Sequence, residues 1–292
     1  MMVSGSMAGK TVLVTGSSTG IGLATVVGLA KMGARVLLHA RHEKRGAPAL
    51  DEARQKSGSN QIELVIGDLS SQREVRGLAD QVGAHDALDV LINNAAIIPE
   101  RRTLTEDGLE MQFAVNHLSY YMLGNLLLPL LRRSPSGRIV NVSSFLNTWV
   151  PIDFDNLQAE KSYGGMIMGP GWGTYAHTKV MNVMFTTELA KRLKANGDKV
   201  TANALNPGLI GSSLTRTKSG WFNSIYKRMI GSTEKGARTS IYLASSAHVA
   251  STSGEYYQDS ALGTMSKHAR NPEATARLWD ISARLSGVDF PV

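Results

Sequence analysis

A short β-branched run, Thr11-Val12-Leu13-Val14, passes directly into Thr15-Gly16-Ser17-Ser18-Thr19-Gly20-Ile21-Gly22, and a helical pattern begins there. Strand, glycine-rich turn and helix in immediate succession leave the chain few ways to fold. Glycines at 16, 20 and 22 allow a tight turn, a close approach of backbone to a pyrophosphate, and close helix-strand packing. The first turn of the helix then offers unpaired N–H groups to the anion. Gly16, Ser18, Thr19, Gly20, Ile21 and Gly22 are the candidate contacts.

The same rhythm continues. ARVLLHA, IELVIGD, LDVLINN, GRIVNVSS and KVTANALNP read as strands, and between them lie longer patterns with helical spacing, including helices over about 108–133 and 174–194. Alternating strands and helices specify an α/β fold of the Rossmann type, doubly wound, because right-handed crossovers place helices on both faces of a parallel sheet. At 292 residues one large domain is expected, over 10–292, after a flexible N-terminus at 1–9. Two segments break the rhythm. One, at about 145–173, is rich in Gly, Met and aromatic residues and reads as an insertion. The other, at about 211–232, carries Trp221, Phe222, Tyr226, Met229 and Ile230 and reads either as a lid or as an apolar packing element.

Composition removes several classes of function. Without cysteine there are no disulfides, thiolate metal sites or cysteine nucleophiles, so redox work needs a borrowed cofactor. The histidines show no metal spacing and read as surface or packing residues, and no metal is expected. No apolar run approaches the roughly 20 residues of a membrane span, and the start lacks a secretory signal, so a cytoplasmic protein with no membrane span is expected. The net charge of +7 is scattered among acidic residues rather than gathered in a tract, which argues against nucleic acid as a partner.

The second strand ends at His39-Ala40-Arg41, roughly 20 residues past the glycines, where an NAD site places a carboxylate for the ribose hydroxyls. Arg41 stands there instead. A guanidinium pairs with a 2′-phosphate in a bidentate fork, so NADP(H) is expected in preference to NAD(H), with Lys44 or Arg45 assisting. The alternative for Arg41 is a solvated strand end.

One of the eight tyrosines, Tyr175, has a lysine four residues later, Lys179, and on a helix that spacing puts both on one face. The ammonium is expected to pull the phenol below its ordinary pKa of about 10, so that it exchanges a proton near neutral pH. Ser144, at the end of GRIVNVSS, is the candidate second donor to a carbonyl oxygen, with Ser143 as its near neighbour. Asn116 interrupts a strongly helical stretch in which asparagine is a poor former.

Taken in order, TGSSTGIG, Asp68 in GDLS, Asn93-Asn94-Ala95-Ala96, Asn116 in VNH, NVSS, Tyr175-Ala176-His177-Thr178-Lys179 and Pro207-Gly208 resemble the short-chain dehydrogenase/reductase family over nearly the whole chain. The resemblance implies a seven-stranded sheet in the order 3-2-1-4-5-6-7, adenine contacts at Asp68 and Leu69, and ribose contacts at Asn94, Ala95, Tyr175 and Lys179. It implies carboxamide contacts at Pro207, Gly208, Ile210 and Ser212. Ala96 replaces a usual glycine, and Ser212 a usual threonine. The same resemblance favours Ser144 over Ser143, has Asn116 distort its helix and hold a proton-relaying water, and requires the segment before Tyr175 to loop out. DNLQAEKSY and RNPEATARLWDISARLSGV are similar to the retinol-dehydrogenase-like branch, whose members act on lipophilic alcohols, aldehydes or ketones. Residues and resemblance together imply an oxidoreductase in which Asn116, Ser144, Tyr175 and Lys179 serve hydride transfer between NADPH and a lipophilic carbonyl. Homodimers or homotetramers are expected through the long helices, unless the extended C-terminus caps them. Non-redox chemistry at the same residues (dehydration, epimerisation or cyclisation) and non-catalytic NADP binding are the alternatives.

Overall fold

A computed structural model describes residues 6–164, 169–208 and 232–292. Strands β1 (Thr11–Val14), β2 (Arg35–Ala40), β3 (Ile62–Ile66), β4 (Val90–Asn93), β5 (Arg138–Val142), β6 (Thr201–Asn206) and β7 (Tyr256–Gln258) pair in parallel in the order 3-2-1-4-5-6-7. Among the described residues the sheet has eight strands rather than the expected seven, because β8 (Ala261–Leu262) adds antiparallel to β7. Asp259 and Ser260 both take positive φ, 50° and 63°, and such two-residue turns follow the twist of the strands they join.

Burial on both faces explains why the central strands read as continuous apolar runs. Leu13, Leu37, Leu91 and Ile139 enter one core, while Val12, Val14, Val36, Leu38, Val90, Ile92, Val140 and Val142 enter the other. The α-helices among the described residues are α1 (Gly20–Lys31), α2 (Glu43–Ser57), α3 (Gln72–Gly83), α4 (Ser119–Leu126), α5 (Leu128–Arg132), α6 (Trp172–Ala195), α7 (Thr233–Ser245) and α8 (Pro272–Ser286). The first core receives α3, α4, α5, α6 and α8; the second receives α1, α2 and α7.

The helix expected over 108–133 is not continuous. Phe113–Leu118 winds as a π-helix that holds Asn116, α4 follows, and Pro129 in the first turn of α5 starts a new helix, since it has no N–H to extend the old one. Near the N-terminus Met7 is only 4% exposed and donates its N–H to the Met32 carbonyl (2.9 Å), while Ser6, Ala8 and Gly9 around it are exposed. The segment at 211–231, expected to form a lid or packing element, lies outside the described residues, as do Met166 and Met168.

The described part of the 145–173 segment is tied down by polar contacts. The Tyr163 hydroxyl donates to the Pro99 carbonyl (2.6 Å) and accepts from Gln112 Nε2 (2.8 Å), which also donates to the Gly171 carbonyl. Arg102 Nε donates to the Gln158 carbonyl, and Gln158 Oε1 accepts from the Glu110 N–H. Asp153, Asp155 and Glu160 are exposed.

Helix α8 is capped by Asn271, whose side chain accepts from the Glu273 and Ala274 N–H groups, and it stops at Gly287 in the left-handed region. It does cover part of the long helices. Trp279 meets Tyr121 edge-on (4.9 Å) and stacks on Phe185 (5.9 Å), while the Arg192 guanidinium lies 4.3 Å from its ring centre. The Tyr121 hydroxyl donates to the Val288 carbonyl, and His117 Nε2 lies 3.0 Å from Ser282 Oγ. Trp279→Ala is expected to cost about 3–5 kcal/mol, the range for a buried aromatic. Urea unfolding measures it; a loss below about 1 kcal/mol would show α8 to be peripheral to the core.

Candidate active site

A cavity of about 710 Å³ runs along the carboxyl ends of β1, β2, β3, β4 and β5, the region where open α/β sheets bind ligands. Its floor is the glycine turn. A Cβ on Gly16 (φ 61°) would lie 2.7 Å from Ala95 Cα, and one on Gly22 would lie 2.6 Å from the Gly16 carbonyl oxygen, so backbone passes backbone too closely for any side chain. Beside Gly20 the space is open, and the first turn of α1 carries no carboxylate. Ser18, Thr19 and Ile21 complete this wall. The cradle fits a pyrophosphate.

Three side chains hold this turn: Thr15 and Asn94 from the quoted motifs, and His39, which belongs to none of them. Thr15 Oγ1 accepts from the N–H groups of Asn94 (2.9 Å) and Ala95 (3.1 Å), and Asn94 Nδ2 donates to the carbonyls of Thr15 and Gly16. His39, read as a surface or packing residue, is buried, and its Nδ1 accepts from the Gly16 N–H (2.9 Å). Nδ1 therefore carries the lone pair, and Nε2 carries the proton, which it donates to the Gly67 carbonyl (2.9 Å). Burial lowers the His39 pKa to about 4 and keeps it in this neutral form. The only signal in sequence was an imidazole in an otherwise apolar strand.

Arg41 and Arg45 line the far end of the cavity with Asp68, Leu69 and Ser70. The Arg41 side chain is 67% exposed, and its Nε lies 3.6 Å from Asp68 Oδ2. Asp68 Oδ1 is already bound by the Ser70 N–H and hydroxyl, which leaves Oδ2 on the arginine side. No carboxylate stands at the end of β2.

Tyr175 and Lys179 line the opposite end. Lys179 Nζ donates to the Val142 carbonyl (2.8 Å) and lies 5.3 Å from the Tyr175 ring centre and 5.6 Å from that of Tyr120. Burial dominates both groups: it draws Lys179 down to about 7 and pushes Tyr175 up from its ordinary value. The expected depression of the tyrosine is therefore not found, because desolvating a phenol outweighs an ammonium directed at a backbone carbonyl.

The two serines divide their work. The Ser143 hydroxyl donates to the Lys179 carbonyl (2.7 Å). Ser144 is 8% exposed and follows the cavity-lining residues Val142 and Ser143 without itself lining the wall. Its Oγ accepts from the Leu146 N–H (3.3 Å), and its proton has no acceptor among the described residues. Asn116 sits behind the wall, where Oδ1 accepts from the Ile97 N–H (2.8 Å) and Nδ2 donates to the Ile97 carbonyl (3.0 Å) and Thr178 Oγ1 (3.3 Å). Pro207 lines the cavity. Gly208 donates its N–H to Asn206 Oδ1, and Ile210 and Ser212 lie outside the described residues.

Beyond Tyr175 the surroundings turn apolar. Ala96, Ile98, Phe145, Val150 and Trp172 pack on Leu146, Tyr175 and Ala176, with Trp172 edge-on to Tyr175 (5.6 Å) and Phe145 edge-on to the exposed Trp149 (5.4 Å). Among the described residues no group of three His, Cys, Asp or Glu side chains is placed to hold a metal, and no helix is long and apolar enough to cross a membrane.

Residues 10–150 match the family model described as short chain dehydrogenase. Retinol dehydrogenase 11 of Mus musculus is 38% identical over 283 residues, which span 96% of this chain and 87% of the relative. Among solved structures, an uncharacterised protein from Mycobacterium paratuberculosis superposes with a TM-score of 0.80 at 29% identity, covering 99% of this chain and 97% of that one. The NADP active-site complex of RhlG from Pseudomonas aeruginosa superposes with a TM-score of 0.69 at 28% identity, covering 88% of this chain and 96% of that one.

Burying Lys179 has a measurable cost. Between pH 7 and the ordinary lysine range near 10.5 the unfolded chain binds a proton that the folded chain does not, so this group makes stability rise with pH across that window. Below the window both states carry the proton, and the full cost of burying the charge falls on folding. Lys179→Met is therefore expected to be more stable than wild type at pH 7 by on the order of a few kcal/mol, at about 1.4 kcal/mol per unit of separation between the two pKa values. Its advantage should narrow towards pH 9. Thermal melts at the two pH values check this; a variant less stable than wild type at pH 7 would make the ammonium a net stabiliser through Val142.

Proposed function

Because the chain belongs to the short-chain dehydrogenase family, in its retinol-dehydrogenase-like branch, we propose that it is an NADP-dependent oxidoreductase that reduces a lipophilic aldehyde or ketone to the alcohol. The observation that carries this reading is the layout of one cavity: a glycine cradle in the middle, two arginines at one end, and a desolvated tyrosine-lysine pair beside apolar walls at the other.

A bound nicotinamide supplies the hydride. The turn at Gly16, Ser18, Thr19, Gly20, Ile21 and Gly22 holds the pyrophosphate on the N-terminus of α1. Arg41 and Arg45 take the 2′-phosphate; two guanidinium groups lining that end of the cavity, with no carboxylate at the end of β2, support NADP over NAD. The NADP complex of RhlG is a relative in keeping with this choice. Asp68 and Leu69 flank the adenine, Asn94 and Ala95 the adjacent ribose, Tyr175 and Lys179 the nicotinamide ribose, and Pro207, Gly208, Ile210 and Ser212 the carboxamide.

At the substrate oxygen, Tyr175 is the acid. Burial keeps its phenol protonated across the neutral range, which suits reduction, where a proton must be given to an oxygen that gains charge. Ser144 directs its unengaged hydroxyl proton at the same oxygen and stabilises that charge. Once Tyr175 has given its proton, the Lys179 ammonium beside the ring stabilises the phenolate. Asn116 fixes the Ile97 backbone against Thr178, next to the catalytic pair, and completes the proton path. The apolar groups around Tyr175, with Trp172 and Phe145 foremost, suit a lipophilic substrate.

Fluorescence titration of wild type and Arg41→Ala with NADPH and NADH tests the cofactor assignment. Wild type is expected to bind NADPH more tightly, and the variant to lose about tenfold or more in NADPH affinity, the loss of a charge-assisted phosphate contact, with NADH little affected. Equal weakening of both nucleotides would remove the 2′-phosphate role from Arg41, and binding of neither would overturn the redox reading.

A further inference from the structure

Ser144 opens the 3₁₀ turn Phe145–Thr148, and its carbonyl is held more firmly than such a turn requires. The Asn147 N–H bonds it at 3.1 Å, as the turn demands. Two side chains then add to it: Asn147 Nδ2 donates at 2.8 Å and the Tyr256 hydroxyl at 3.0 Å. A carbonyl oxygen has two lone pairs, so three donors leave its direction little freedom.

Asn147 belongs to the turn itself, but Tyr256 is 112 residues away in sequence. Tyr256 lies on β7, two strands from β5, in register with Ala204 of β6, and it is almost fully buried. Room for its ring depends on Gly263, where a Cβ would sit 3.1 Å from the ring edge. Asn147 is buried as well, and its Oδ1 accepts from the Ser266 N–H (3.0 Å), which ties the same turn to the chain beyond β8. Burial keeps the Tyr256 phenol protonated, hence a donor at any working pH.

With the Ser144 carbonyl fixed and its backbone extended (φ −161°, ψ 159°), the Cα–Cβ direction is fixed too, and only the side-chain torsion remains. The Leu146 N–H occupies a lone pair of Oγ, which directs the hydroxyl proton away from the turn. We infer that Tyr256 is a positioning residue for carbonyl reduction: through the Ser144 carbonyl, and with Asn147, it aims the Ser144 hydroxyl at the substrate oxygen. This rests on the assignment of Ser144 as the second donor. Tyr256 itself touches no reacting atom.

The test is a double-mutant cycle on the full chain, Tyr256→Phe against Ser144→Ala, with NADPH and decanal as the probe substrate. In the wild-type background Tyr256→Phe is expected to lower kcat about tenfold with KM nearly unchanged, the split of an interaction that matters in the transition state. In the Ser144→Ala background it should cost nothing further, because the group it aims has gone. NADPH affinity should be unchanged throughout. Asn147→Ala should behave in the same way, and it serves as the second arm if Tyr256→Phe does not fold. An equal loss in both backgrounds, or a loss confined to KM or to NADPH binding, would overturn the positioning role while leaving Ser144 in place. If Ser144→Ala alone leaves kcat unchanged, the assignment of Ser144 fails, and the inference with it.

Discussion

A reciprocal pair of hydrogen bonds between α6 and the end of β5 organises the site. Lys179 gives its ammonium to the Val142 carbonyl, and its own carbonyl receives the Ser143 hydroxyl. One residue is thus bolted to the strand at both its backbone and its side chain. Tyr175 lies one helical turn before Lys179 and Ser144 one residue beyond Ser143, so the bolt sets the register between the two groups that the proposed reduction needs. It explains why the two adjacent serines are not interchangeable: Ser143 is consumed in joining helix to strand, which leaves Ser144 its free proton.

The same packing strips water from the tyrosine and the lysine. Desolvation acts against charge on both, and it drives their pKa values in opposite directions, the lysine downwards and the tyrosine upwards. In this state the phenol keeps its proton, as the proposed reduction needs, rather than standing as a preformed phenolate. A second clamp works at the other end of the cavity. There His39, held neutral by burial, links the glycine turn to the end of β3 through the Gly16 N–H and the Gly67 carbonyl.

Much of this was legible in sequence because it is local. The strand-turn-helix at Gly16 to Gly22 and the parallel order of seven strands follow from period, turn chemistry and family resemblance, and the i,i+4 placement of Tyr175 and Lys179 follows from helix geometry. What the sequence concealed depends on contacts between distant segments. A helix distorted at Asn116 was expected, but not its form, a π-helix over Phe113–Leu118, and Met7 reads as a loose terminal residue until α1 and β2 are in place to receive it. The hairpin at Asp259 and Ser260 lacks the glycine that usually marks such a turn. Burial inverted the expected sign of the Tyr175 shift, since a spacing argument sees the neighbouring charge and not the missing water. Tyr256 is the extreme case, a tyrosine two strands away whose hydroxyl meets the backbone of Ser144.

In the proposed reduction this cavity passes a hydride to a lipophilic carbonyl while Tyr175 supplies the proton. The most direct measurement is mass spectrometry of the product formed from decanal and NADPH deuterated at the transferable position of nicotinamide C4. Deuterium on the carbinol carbon, abolished in Tyr175→Phe while that variant still binds NADPH, is the predicted result. Tight NADPH binding with no deuterium delivered to decanal or to a panel of lipophilic aldehydes and ketones would contradict it.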